Sequence, residues 1–253
     1  MHADRVSLRV GVDFGPRRTA DRSFDVGHAQ GCDDLAVRTL RVITLNIGSL
    51  LDEGWEHRAP IVGRQLAELE PDVVCLQEVA RSGSRPNAAE EVLGAQVAAG
   101  GPLAHLGFGG FRVADGFFPD EPDLEMGSAV LSRWPVEVVA THPLPVDVDR
   151  PGAHMFTYEL LHARTAGLDL FSTHLAAPPD EGRHRRVQVQ EINRLIREAR
   201  GPDDTNPWNA ERPAMPAILC GDFNAEPDSD EIRFLTGLTP LGGIDTFLSL
   251  IHI

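Results

Sequence analysis

Four short apolar runs in this chain each end in a polar tip. Val42-Ile43-Thr44-Leu45 ends at Asn46, and Val73-Val74-Cys75-Leu76 ends at Gln77-Glu78. The run from Leu168 to Thr173 ends at His174, and Ile218-Leu219-Cys220-Gly221 ends at Asp222-Phe223-Asn224. Strands in α/β sheets present ligand and catalytic groups at their carboxyl ends, where the sheet holds them rigidly beside a crevice. Gathered there, Glu78, Asp222, Asn46, Asn224 and His174 make an oxygen-rich set that suits a hard cation such as Mg²⁺ better than zinc. Singly, each has an ordinary reading: an Asn after a strand or a Gly-Asp pair is turn chemistry, and a lone His is more often structural.

The surrounding pattern supplies elements to position them. Leu40 to Ile47 is β-rich, and a helix follows with Ile61, Val62, Leu66 and Leu69 on one face, closed by Pro71. Asp72 to Leu76 reads as a short buried strand, and Ala88 to Ala99 as a helix ended by Gly100-Gly101-Pro102. Strands are predicted over Gly110–Phe117, Ser128–Ser132, Val136–Thr141, His154–Leu161 and Leu168–His174. A helix from about Glu181 to Ala199 buries Val187, Ile192, Leu195 and Ile196, and Gly201–Pro213 is a polar loop. Ala217–Cys220 is a further strand. Asp228 or Ser229 then caps a short helix through Leu235, with Glu231 as a capping-box candidate. Strands mixed with helices in this way imply an α/β layered fold.

Taken in order, Thr44-Leu45-Asn46, Asp72 to Glu78, Gly127 to Arg133, Ser172-Thr173-His174-Leu175 and Gly221-Asp222-Phe223-Asn224 resemble the successive motifs of the endonuclease/exonuclease/phosphatase (DNase I-like) superfamily. Arg185-x-x-Gln188 resembles that family's Arg-x-x-Gln, and the likeness spans roughly residues 40–247. The resemblance implies a four-layer α/β/β/α sandwich and Mg²⁺-dependent hydrolysis of a phosphodiester or phosphomonoester, with Mn²⁺ as a substitute metal. It implies Glu78 as a metal ligand with Asn46 close to the ion. Asp222 would orient or deprotonate the attacking water, Asn224 would position phosphate or metal-bound oxygens, and His174 would donate to non-bridging phosphate oxygens. A metal plus a donor stabilises the charge that builds up on the phosphoryl group, and a carboxylate prepares the nucleophile. The superfamily's substrates run from DNA and RNA to inositol phosphates and sphingomyelin, and these shared motifs do not choose among them.

The family's later Ser-Asp-His motif is not found. The chain ends Gly243-Ile244-Asp245-Thr246-Phe247 and then Leu248 to Ile253, which reads as an unrelated tail, and His252 is given no catalytic role. The resemblance therefore implies a domain over 38–253 that lacks its last strands and is weakly active or inactive. The alternative is a non-catalytic binding protein that keeps the fold.

Bulk properties bound the rest. The chain has 253 residues, 42% of them hydrophobic, enough for one core, and no apolar run long enough to span a membrane. Residues 1–37 read as a poorly ordered leader without a secretory signal, and with three scattered cysteines (Cys32, Cys75, Cys220) this predicts a cytoplasmic protein without a disulfide framework. The net charge of −15 mildly favours a small or lipid-derived phosphoester over a long nucleic acid. Arg183, Arg185 and Arg186 form the densest basic stretch, either a solvated helix face or, at Arg185, a substrate contact. Arg150 and His154 are candidates for phosphate contact or for a turn and edge strand, and Trp55 and Arg58 for a cleft lining or for helix-start packing. The glycines of His105–Gly110 read as a loop, because no Gly-Lys-Ser/Thr follows. Neither a Gly-x-Ser-x-Gly elbow nor His-Glu-x-x-His is present, which argues against a serine hydrolase or zinc protease.

Overall fold

The computed structural model describes residues 8–10 (backbone only), 40–50, 53–146, 157–177, 181–200 and 217–243. Cys32, Arg150, His154, the 201–213 loop and the tail from 244 onward lie outside the described residues, as does most of the expected leader. Within that leader, Leu8–Val10 forms strand β1, antiparallel to β2 (Leu40–Asn46).

Two mixed sheets follow from the alternating pattern. The first has five strands in the order β1-β2-β3-β5-β4, where β3 is Val73–Arg81, β4 His105–Arg112 and β5 Glu125–Ser132. The second has four in sequence order: β6 (Glu137–Pro143), β7 (Glu159–Thr165), β8 (Leu168–His174) and β9 (Ala217–Asp222). β2 and β3 run parallel with Asn46 level with Gln77, and β8 and β9 run parallel with His174 level with Asp222. Both pairs thus deliver their polar tips at one end.

Period-two alternation assigns the layers. Val74, Leu76, Ala129 and Leu131 face outward and pack under helices α1 (Trp55–Leu69) and α2 (Ala88–Ala98). Leu160 and Phe171 face outward from the second sheet, under α3 (Gly182–Arg200) and α4 (Asp230–Leu235). Val42, Val73, Cys75, Val130, Leu161, Ala163 and Leu170 fill the space between the sheets. The expected four-layer α/β/β/α sandwich is the fold. No helix among the described residues is long and apolar enough to cross a membrane.

Several local expectations change. His105–Gly110 is a strand, not a loop. A Cβ on Gly107 would stand 2.6 Å from Val136 Cγ1, and one on Gly109 would meet Thr141 and Leu161, so glycine is what lets β4 lie against the second sheet. In α1 the buried face is Trp55, Ala59, Gly63 and Leu66, which leaves Ile61 exposed; Val187 is likewise on the solvent side of α3. Of the two candidate caps for α4, Ser229 fills the position, and its Oγ accepts from the Ile232 amide. Glu231 is therefore one position too early for a capping box and is buried instead. Trp55 and Arg58 resolve as packing. The Trp55 indole donates to Glu91 at 2.7 Å, and Arg58 lies over that ring and donates to the Ile47 and Gly48 carbonyls at 2.8 Å each.

Candidate active site

β3 carries a bulge between Leu76 and Val79, and within it Glu78 adopts a left-handed backbone (φ 54°). The irregularity breaks the alternation that a regular strand would impose on Glu78. Ser49, 1% exposed, pins the turn: its Oγ donates to the Glu78 carbonyl at 2.6 Å and accepts from the Ala80 amide at 3.0 Å. Opposite, Gly221 opens the Gly-Asp-Phe-Asn turn (φ 152°), where any Cβ would collide with the Thr173 carbonyl; only glycine lets β9 come this close to β8.

These devices bring four side chains from both sheets to one place. Asn46 Nδ2 donates to Glu78 Oε1 at 2.7 Å and to Asp222 Oδ2 at 3.0 Å. His174 Nε2 lies 3.8 Å from each of the same two carboxylate oxygens. The Asn46 side-chain oxygen accepts from the Gly48 amide at 3.0 Å, which fixes the side chain. Glu78, His174 and Asp222 are 15%, 17% and 32% exposed, so the cluster is sheltered yet open to a small ligand.

Asn224 acts at one remove. Its backbone amide donates to Asp222 Oδ1 and its Nδ2 to the Leu175 carbonyl, both at 3.0 Å, so it holds the carboxylate and the chain after His174 in place. Arg185 is buried, with Nη1 on the Ala176 carbonyl at 2.9 Å and Nε 3.5 Å from Glu231. Gln188 accepts from the Ala176 amide at 3.0 Å. The Arg-x-x-Gln pair therefore brackets the backbone two residues beyond His174, and Arg185 is not on a solvated helix face. Arg183 and Arg186 are exposed.

Polar links behind the cluster were not legible as site residues. Thr44 donates to Gln77 Oε1 at 3.2 Å, and Gln77 Nε2 donates across the sheets to Ser172 Oγ at 3.0 Å. Ser128 of β5 donates to Glu159 of β7 at 2.9 Å, and burial pushes the Glu159 carboxyl up to about 8 against the smaller, opposite pull of that hydroxyl. Polar residues in phase with the inward-facing Leu161, Ala163 and Leu170 were the available signal.

Among the described residues no three His, Cys, Asp or Glu side chains are gathered as a ready metal cluster. The cation-fitting feature is the pair of carboxylates, Glu78 and Asp222, that share a single neutral amide nitrogen. Two carboxylate oxygens around one donor form a hard-oxygen pair.

Residues 43–249 match the sequence model of the Endonuclease/Exonuclease/phosphatase family. Protein angel homolog 2 of Danio rerio is 26% identical over 193 residues, covering 72% of this chain and 30% of that protein. Among solved structures, an endonuclease/exonuclease/phosphatase from Beutenbergia cavernae superposes with a TM-score of 0.52 at 24% identity, covering 81% of this chain and 50% of that one. The human Nocturnin catalytic domain, solved with a bound sulfate anion, gives 0.50 at 18% identity over 78% of this chain and 69% of its own. The chain thus spans under a third of the fish relative and half of the Beutenbergia protein.

Proposed function

The chain belongs to the endonuclease/exonuclease/phosphatase family, and we propose that it is a divalent-metal-dependent phosphoester hydrolase whose centre is Asn46, Glu78, His174 and Asp222. The observation that carries this reading is the convergence of those four side chains, from four strands and two sheets, around one amide nitrogen. Glu78 with Asn46 would hold Mg²⁺ (or Mn²⁺), which when bound supplies positive charge to polarise a phosphoryl oxygen.

The chain's own groups account for the remaining work. His174, set between the two carboxylates, donates a hydrogen bond to a non-bridging phosphoryl oxygen as negative charge grows there. Asp222, the more exposed carboxylate, accepts the proton of the attacking water, and Asn224 fixes its rotamer through the bond to Oδ1. Arg81 and Arg85, on and just beyond β3 at the same end of the first sheet, pair with Glu125 at short range and with Glu121 at 2.9 Å. Their charge is locally neutralised, which together with the net charge of −15 favours a small or lipid-derived phosphoester over a long nucleic acid.

The test measures Mn²⁺ binding by calorimetry and hydrolysis of bis-p-nitrophenyl phosphate and p-nitrophenyl phosphate, with Mg²⁺ or EDTA. Binding and turnover that both vanish in E78A, with EDTA stopping the wild type, support the reading. A folded wild-type chain that neither binds the ion nor turns over either ester overturns it.

A further inference from the structure

The two halves of the cluster belong to different sheets, which at this end are joined by the Gln77–Ser172 and Asn46–Asp222 bonds and, further back, by Ser128–Glu159. Asn46 and Glu78 come from the first sheet, His174 and Asp222 from the second. Their mutual distances therefore depend on whatever fixes one sheet against the other at this end.

Ser128 and Glu159 stand where that control is needed. In β5, Ser128 lies between Ala129, level with Leu76, and Gly127, level with Val79, so it sits beside the bulge that carries Glu78. In β7, Leu160 is level with Thr173, which puts Glu159 one step on, beside His174. Ser128 is fully buried and Glu159 is 4% exposed. The 2.9 Å bond between them crosses from sheet to sheet, and the Glu159 carbonyl accepts from Thr173 Oγ1 at 2.7 Å, which fastens the same residue to the strand of His174.

We propose that Glu159 is a positioning residue for this site: through Ser128 on one side and Thr173 on the other, it sets the level and spacing of the strand carrying His174 against the strand carrying Glu78. A hydrophobic residue would fill the same volume more cheaply, since burying a carboxyl group is unfavourable. What it would not supply is a directional bond of fixed length across the layer. Because burial keeps the group protonated at neutral pH, glutamine is its close isostere and retains the acceptor for Ser128.

The kinetic half of the test rests on the hydrolase reading; the spectroscopic half does not. His174 imidazole correlations are recorded by NMR, assigned by their loss in H174Q, in the wild type, E159Q, E159A and S128A. Turnover of bis-p-nitrophenyl phosphate with Mg²⁺ is measured beside them, per folded molecule. E159A and S128A are expected to displace the imidazole signals and lower kcat by about 10- to 100-fold with KM nearly unchanged, the size expected for misplacement on the order of 1 Å. E159Q is expected to restore both. If E159A fails to fold, S128A decides. Imidazole signals and kcat that stay at wild-type values in S128A and in folded E159A overturn the proposal and leave Glu159 a stability residue only. Signals that move as expected in a protein that shows neither metal binding nor turnover retain the positioning role and overturn the hydrolase reading instead.

Discussion

Replacing Glu159 by glutamine should make the protein more stable, and increasingly so as the pH rises. The carboxyl is buried between the sheets, and its value moves from 4.5 to about 8 because the charged form is excluded there. A raised carboxyl value means that the folded state keeps a proton that the unfolded chain has released. Stability is thus full below pH 4.5 and is lost as the pH climbs towards 8, at about 1.4 kcal/mol per pH step. Integrated over that window, the loss is roughly 3 kcal/mol at pH 7 and approaches about 5 kcal/mol by pH 9. E159Q removes the titrating group, and any cost of burying its amide nitrogen is the same at every pH. The assay is chemical denaturation followed by tryptophan fluorescence, wild type against E159Q, at pH 5, 6, 7 and 8. The variant should gain roughly 3 to 4 kcal/mol on the wild type between pH 5 and pH 8. Two parallel curves, separated by a constant at every pH, would refute the reasoning, because they would mean that Glu159 does not hold its proton in the folded state.

Other outcomes follow from the same geometry. H174Q should lower kcat on bis-p-nitrophenyl phosphate by about 10² to 10⁴ with intact folding, the usual loss when a transition-state donor goes; a change under about threefold would remove His174 from the chemistry. G221A should cost roughly 2–4 kcal/mol in denaturant unfolding, since the methyl group meets the Thr173 carbonyl in a backbone conformation that L side chains rarely adopt; wild-type stability would show that β8 and β9 lie further apart. The Cys75 thiol, fully buried and raised well above its ordinary value by a hydrogen bond with the free Cys220 thiol and by burial, should resist alkylation at pH 8 until the protein is unfolded. Rapid labelling of the native protein at Cys75 would contradict that packing.

The first-order plan of the molecule was legible because it is local. Short apolar runs with polar ends marked β2, β3, β8 and β9, and Gly221-Asp222-Phe223-Asn224 marked a turn. The errors also have local causes. Glycine at 107 and 109 carries no hydropathy signal for a strand, so β4 read as a loop until the second sheet showed why no side chain fits there. Ile61 and Val187 are apolar at positions that a helical repeat turns to solvent. The place of Arg185 against the Ala176 carbonyl was not legible, because its charge is visible in sequence and that partner is not.

Local pattern specified the residue types of the site, their order and their places at the ends of strands, because strand alternation and turn chemistry act over a few residues. Which of them meet is a property of the assembled fold. Asn46 and Asp222 are 176 positions apart, yet their side chains bond at 3.0 Å. That contact depends on two sheets packed face to face and held level by buried polar links such as Ser128–Glu159. Distances across such a layer are set by packing and by directional bonds between strands remote in sequence, and no local pattern encodes them.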